Sequence, residues 1–252
     1  VLIMSHFAFS FYNPFGWFPS FNWGSVFKPY TPPVIKSVVL TPNQAYTALS
    51  SDIIKGNTGI ETVTLAKGIT KVSIDSKVEN INLAGGLFDY SLQGTGQKVS
   101  INTGAFRTNV ATVQPSASGT HLTFADGSQV TLSLGGYGNA QIHYDTVQLL
   151  DNKTTTVGNG DIVIKGGNGD ETLKLNPGLY HVTADHKVES LVLSQSYMDS
   201  QIVTSVGQVQ VENASDNPVV TWDINAGETH TLQFDNAVGR VTLGTDGTAV
   251  FS

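Results

Sequence analysis

The chain contains no cysteine in its 252 residues. That excludes a disulfide framework, Cys-ligated zinc and thiol catalysis. Charge is also scarce: 13% of residues are Asp, Glu, Lys or Arg, and the net charge is -7. An acidic balance argues against nucleic acid or an anionic lipid surface as the main partner. No run approaches the roughly 18 apolar residues that a membrane-spanning helix needs. Helical periodicity is missing too; the nearest approach, Gln44–Leu49, is short and weakly patterned.

One absence is local. No Asp or Glu precedes Asp52, so residues 52–252 carry all 20 acids against 11 of the 13 basic residues. The same early segment holds Phe7, Phe9, Phe11, Phe15, Phe18, Phe21 and Phe27, with Trp17, Trp23, Tyr12 and Tyr30. Prolines stand at 14, 19, 29, 32, 33 and 42. Proline at this density forbids a long helix or a central strand. Residues 1–35 are therefore read as an extended aromatic and Pro-rich arm. An exposed patch of Phe7, Phe9, Phe11, Phe15, Trp17, Phe18, Phe21 and Trp23 is expected to be an interaction site. A secretory signal peptide fits poorly, because Pro14 and Pro19 interrupt the apolar run and no basic front precedes it. Met4 is compatible with a translation start.

What remains reads as β-structure. Thr62–Leu65, Lys71–Ile74 and Gln208–Val211 alternate polar and apolar residues, the period of a half-buried strand. Asp126–Gly127, Asn159–Gly160 and Asp246–Gly247 mark tight turns. A self-match at an offset of 110 relates the two halves. Lys55, Gly56, Gly59, Glu61 and Thr62 match Lys165, Gly166, Gly169, Glu171 and Thr172. Asp75, Lys77, Val78, Glu79, Leu83 and Asp89 match Asp185, Lys187, Val188, Glu189, Leu193 and Asp199. Farther on, Leu122 and Phe124 match Leu232 and Phe234. Such self-similarity signals duplicated structural units. The expected fold is all-β, with two tandem homologous domains over 36–147 and 148–252, each a sandwich or a short β-roll.

Most repeated residues are apolar or turn-forming and specify architecture. The repeated acids admit two readings: metal ligands, or turn and edge residues that satisfy local backbone donors. Histidines are scattered; His181 and His186 flank Asp185 without the i, i+4 spacing of a helical zinc site. A Ser-His-Asp arrangement is recognised by geometry alone, and no Gly-x-Ser-x-Gly elbow is present. No catalytic residue is singled out, and an enzyme is not expected.

Gly166-Gly167-Asn168-Gly169-Asp170-Glu171 resembles one turn of the Gly-Gly-x-Gly-x-Asp calcium repeat of type I-secreted, RTX-like bacterial proteins. Glu171 stands where that repeat carries Asp, and no adjacent tandem copy follows. Gly56–Glu61 is a degenerate version. More widely, residues 52–134 resemble a β-rich module of bacterial surface, adhesin and S-layer-type proteins. Val78-Glu79-Asn80-Ile81-Asn82-Leu83-Ala84-Gly85, then Asp89-Tyr90 and the closing Ala125-Asp126-Gly127-Ser128, carry that likeness. The second copy resembles it over 162–199 and loses the tyrosine at Ser200. The resemblance implies an extracellular or cell-surface location, frequent calcium dependence and no enzymatic activity. Asp161, Asp170, Glu171, Asp185, Glu61 and Asp75 are the calcium ligands it suggests.

The function expected is a structural protein that assembles with itself, as filament, surface layer or matrix, through its arm. The alternative is an adhesin or carbohydrate-binding module that meets cell-surface polysaccharide with calcium-shaped loops and surface aromatics.

Overall fold

Alternation along short segments sets the strands. In Val72–Ile74 the two β-branched residues turn inward and Ser73 outward; in Ile162–Lys165, Ile162 and Ile164 are buried and Val163 and Lys165 exposed. In a computed structural model, which describes residues 35–103, 108–158, 160–244 and 246–252, nearly every such segment is a strand. The fold is all-β. Gln44–Leu49 contributes a strand and no helix. The arm expected over 1–35 lies outside the described residues, apart from Ile35.

Residues 35–252 form one compact unit. Its first strands are β1 (Ser37–Val39), β2 (Ala45–Thr47), β3 (Ile53–Lys55), β4 (Thr62–Leu65), β5 (Val72–Ile74) and β6 (Asn80–Leu83). Successive strands alternate between two sheets. β1, β3 and β5 pair in parallel in one, and β2, β4 and β6 in the other. Parallel neighbours need a crossover connection, and here the crossover is a strand of the opposite sheet. The chain thus coils, passing once through each sheet per turn.

After β6 the coil is interrupted by a 3-10 turn at Leu87–Asp89 and an antiparallel meander of β7 (Tyr90–Thr95), β8 (Lys98–Thr103) and β9 (Thr108–Val113). β9 returns parallel to β5, and β10 (Thr120–Phe124) parallel to β6. β11 (Gln129–Leu134) and β12 (Ala140–Gln148) then follow antiparallel. Gly127, with φ 87°, turns the chain between β10 and β11, a backbone angle that glycine adopts without a Cβ penalty.

The second copy repeats this plan. Its strands are β13 (Thr154–Val157), β14 (Ile162–Lys165), β15 (Thr172–Leu175), β16 (Val182–Ala184) and β17 (Ser190–Leu193). A 3-10 turn at Tyr197–Asp199 precedes β18 (Ser200–Ser205), β19 (Gln208–Asn213), β20 (Pro218–Asp223), β21 (Thr229–Gln233), β22 (Val238–Leu243) and β23 (Ala249–Phe251).

β12 belongs to both copies. Its first residues pair antiparallel with β11, Ile142 opposite Leu132 and Tyr144 opposite Val130. Its last three pair in parallel with β14, Thr146 beside Val163. One sheet of 11 strands therefore runs through both copies, in the order β18-β19-β20-β16-β14-β12-β11-β10-β6-β4-β2. The boundary expected between 147 and 148 falls inside this strand. A sheet of six strands flanks each copy's share of it, β1-β3-β5-β9-β8-β7 and β13-β15-β17-β21-β22-β23.

A continuous apolar core includes Ile54, Leu65, Ile81, Ile101, Leu122 and Leu132 from the first copy, and Ile164, Leu173, Leu191, Trp222 and Leu232 from the second. Each fully buried large side chain contributes roughly 1.5–3 kcal/mol. Stacking of successive turns is close at Gly56 and Gly166: an added Cβ would overlap the carbonyl oxygens of Lys77 and Lys187. At Gly136 it would meet nothing within 4 Å. Gly166→Ala is therefore expected to lower stability by about 1–3 kcal/mol. Gly136→Ala should stay within about 0.5 kcal/mol. Urea unfolding of both variants checks the contrast.

Candidate functional site

A coil of parallel strands turns at its corners, where backbone amides leave the sheet ladders. Buried amides need acceptors, and the repeated acids supply them. Glu171 is fully buried. Its Oε1 accepts from the amides of Asn152 and Gly169 at 3.1 Å each, and its Oε2 from Gly167 at 2.8 Å. Glu61, equally buried, accepts from Asn43 and Asn57 at 3.2 and 3.3 Å. The next acid continues the ladder: the Glu61 amide donates to Glu79 at 2.9 Å, and the Glu171 amide to Glu189 at 2.7 Å. Asp75 Oδ1 accepts from Gly56 and Lys77 at 2.9 and 3.1 Å. Asp185 Oδ1 accepts from Gly166 and Lys187 at the same two distances.

The six acids expected to hold calcium therefore do not gather around one point. Both oxygens of Glu61 and Glu171, and Oδ1 of Asp75 and Asp185, accept from amide donors. Asp170 is exposed, and its amide donates to Asn152 at 3.2 Å. Asp161 is exposed and lies 3.4 Å from the His181 ring. Calcium requires six or more oxygen ligands around a shared centre, whereas N–H donors converge on these carboxylates. The residues present do not fit a calcium site. Among the described residues no group of three or more His, Asp or Glu is arranged to hold a metal ion.

Two polar constellations escape sequence reading. On β10, β11 and β12, His121, Thr131 and His143 lie side by side across strands. Thr131 Oγ1 donates to Asp145 Oδ2 at 2.7 Å, and His121 Nδ1 lies 3.1 Å from the same hydroxyl. The hydroxyl sits between imidazole and carboxylate. A hydrolytic triad places the imidazole in the middle, so this order does not activate the hydroxyl. The second constellation is internal. His230, buried, has Nδ1 3.0 Å from the Val188 carbonyl and Nε2 3.4 Å from Glu228 Oε2, with the Trp222 ring edge-on at 5.0 Å. Burial pushes the Glu228 carboxyl upward, but hydrogen bonds from Asn225 and the nearby His230 outweigh it and hold the group below its ordinary range. Strand parity was the only signal for the first cluster; for the second there was none.

A cleft of about 570 Å³ opens in the first copy between Ala66–Ile69, Ala84–Gly85, Phe88–Ser91 and Asn102–Thr103. Phe88 and Asp89 are exposed at its rim. The Tyr90 hydroxyl accepts from the Gly85 amide at 3.1 Å; burial raises its pKa above the ordinary value, the Gly85 bond lowers it and Asp89 raises it further. The second copy has Gln195 in place of Gly85, and the Gln195 amide donates to Ser200 at 2.7 Å. The arm residues Phe7, Phe9, Phe11, Phe15, Trp17, Phe18, Phe21 and Trp23 lie outside the described residues.

No family model matches the chain, and no curated protein or solved structure matches it. The resemblance of 52–134 to secreted bacterial surface modules rests on the residues quoted for it.

Two predictions follow from the carboxylate ladder. Burial raises Glu189 above its ordinary value of 4.5; hydrogen bonds from backbone amides oppose this, and Glu171 and Asp170 add to it. A carboxyl raised on folding binds its proton more tightly in the folded state. Stability linked to Glu189 is thus fully present below its unfolded value and is lost as pH rises through the folded one. Glu189→Gln keeps an acceptor oxygen and removes that loss. Its melting temperature relative to the parent should rise between pH 4 and pH 7. Separately, excess calcium and excess chelator should give the same melting temperature, because a ligand held only by the folded state would raise it.

Proposed function

We propose that this chain is an extracellular structural protein whose main partner is itself, assembling into a filament, surface layer or matrix through its N-terminal arm. The observation that supports this best is the sheet shared by the two copies. One 110-residue unit is joined to the next through β12, which pairs with strands of both copies. Such a joint would suit a framework that grows by adding units. The repeated acids belong to the same framework, since they hold its corners.

The arm supplies the association energy. Eleven aromatics precede residue 31, and each one buried contributes up to about 3 kcal/mol. A chain of net charge -7 needs such a term to overcome repulsion between like-charged molecules.

A second reading, an adhesin or carbohydrate-binding module, draws on the first copy's cleft. Phe88 offers a stacking face there, and Asp89 and Asn102 are polar groups of the lining. This reading needs no calcium. It leaves the arm accessible, whereas assembly buries it.

Deletion of residues 1–30 tests the choice. Light scattering should fall from that of an assembly to that of a single chain. Unchanged particle size would remove the arm from the mechanism, and protease-accessible aromatics in the undeleted protein would favour the sugar-binding reading.

A further inference from the structure

We infer that the corner joining β20 to β21 in the second copy is a pH-operated latch, closed while His230 carries a proton on both ring nitrogens and released when it loses one. The latch lies in the body of the chain and does not depend on assembly through the arm.

Both nitrogens of His230 face acceptors. Nδ1 lies 3.0 Å from the Val188 carbonyl oxygen, and Nε2 lies 3.4 Å from Glu228 Oε2. A carbonyl oxygen and an ionised carboxylate accept and cannot donate. Neutral imidazole has one N–H, so either tautomer turns a lone pair toward one of these oxygens. Imidazolium donates in both directions, and it is the form these surroundings fit. Among the described residues, neither Nε2 nor Glu228 Oε2 has a hydrogen-bond partner elsewhere.

Burial alone disfavours a charged ring, and this one is 3% exposed. The Glu228 side chain is 43% exposed, so the pair meets water at one end. Asn225 Nδ2 donates to Glu228 Oε1 at 3.3 Å and anchors the carboxylate beside the ring. Among the described residues, Glu228 is the one acid within 4 Å of His230. Strand β20 brings Trp222 against the ring, and β22 places Val241 opposite it. Charges on the neighbouring elements are engaged elsewhere. Glu189 Oε2 accepts from the Glu171 amide at 2.7 Å, Asp185 Oδ1 from the amides of Gly166 and Lys187, and Asp223 Oδ1 from Gln208 at 2.8 Å. Lys187 and Arg240 are exposed.

This corner ties other elements together. The Ile224 amide donates to the Gly207 carbonyl, in the turn between β18 and β19, at 2.9 Å. The Gly227 amide donates to the Leu243 carbonyl, at the end of β22, at 3.0 Å. In the first copy Thr120 stands in place of His230. Its hydroxyl donates to the Val78 carbonyl at 3.2 Å and accepts from the Ser116 amide at 3.1 Å. A hydroxyl there does not titrate, so the latch belongs to one copy.

Two titrations bound its range. Burial raises the Glu228 carboxyl, but the bonds from Asn225 and His230 hold it below its ordinary 4.5. Its contribution to stability is therefore present above 4.5 and lost as pH falls through the folded value. Histidine ordinarily changes charge between about pH 5 and 8. A contact made only by imidazolium is present on the acid side of that change and lost as pH rises through it. The corner is tightest in mildly acid solution, where both charges coexist.

Melting temperatures of the full chain and two variants, from about pH 5.5 to about pH 8.5, test this. His230→Thr installs the first copy's neutral donor. Glu228→Gln supplies an amide that donates to a neutral ring. The parent's advantage over each variant is expected to shrink by a few degrees across the range. Taking differences removes the pH dependence common to all three, that of Glu189 included. A difference that stays constant with pH for both variants would overturn the latch; if His230→Thr does not fold, Glu228→Gln decides alone. Amide exchange of the parent, corrected for intrinsic rate, locates the effect. Ile224 and Gly227 are expected to lose protection several-fold on the alkaline side while Ser116 and Gly119 keep theirs. Equal loss in both copies would likewise overturn it.

Discussion

Unpaired backbone amides at the corners are the constraint on which this fold turns. A coil that passes from one sheet to the other must leave the ladder twice per turn, and each exit strands N–H groups beneath the next turn of chain. Glycines at 56 and 166 let the turns stack closely enough for Lys77 and Lys187 to lie against them. That closeness keeps water out. Glu61 and Glu171 therefore act as buried acceptors, each at 0% exposure. A buried polar group left without its partner costs roughly 1–3 kcal/mol. A carboxyl group is tolerated in the interior here because several donors converge on it.

The two copies solve the same packing problem with different residues. Thr120 donates its hydroxyl to the Val78 carbonyl at 3.2 Å; the corresponding place in the second copy is taken by His230, reaching Val188. The larger ring needs room, and Trp222 packs edge-on against it. Gly85 leaves room for the Tyr90 ring, whereas Gln195 in the other copy reaches Ser200. Such exchanges leave strand order and register unchanged, because these are set by apolar alternation and corner acceptors. Surface recognition is free to diverge between copies built on one frame.

Much of this was legible in the residues. Alternation in Thr62–Leu65 and Val72–Ile74 gave strands, and the 110-residue self-match gave the duplication. The pairing Glu61 with Glu171 and Asp75 with Asp185 marked positions that matter twice. Their chemistry was not legible, since an acid beside glycines suits a metal loop and an amide-binding corner equally well. Only the direction of the neighbouring N–H groups separates the two, and that depends on which turn stacks on which. That the expected boundary falls within a strand was not legible, for a related reason. A strand can serve two neighbours without any change in its own pattern, so Ala140–Gln148 carries no mark of its double role. His121 and Asp145 are brought to Thr131 by strand register, which local sequence does not encode.

The sharing of β12 constrains how such an array can change length. The unit begins and ends within one strand, and no linker separates one copy from the next. Cutting between copies inside β12 would leave half a strand on each side, and neither fragment would keep its edge covered. Gain or loss of a unit by recombination must therefore join positions one whole repeat apart, so that a shared strand is restored at the new junction. Whole steps near 110 residues survive such an exchange, and a slip of a single residue within a strand would turn the rest of that strand's side chains to the wrong face.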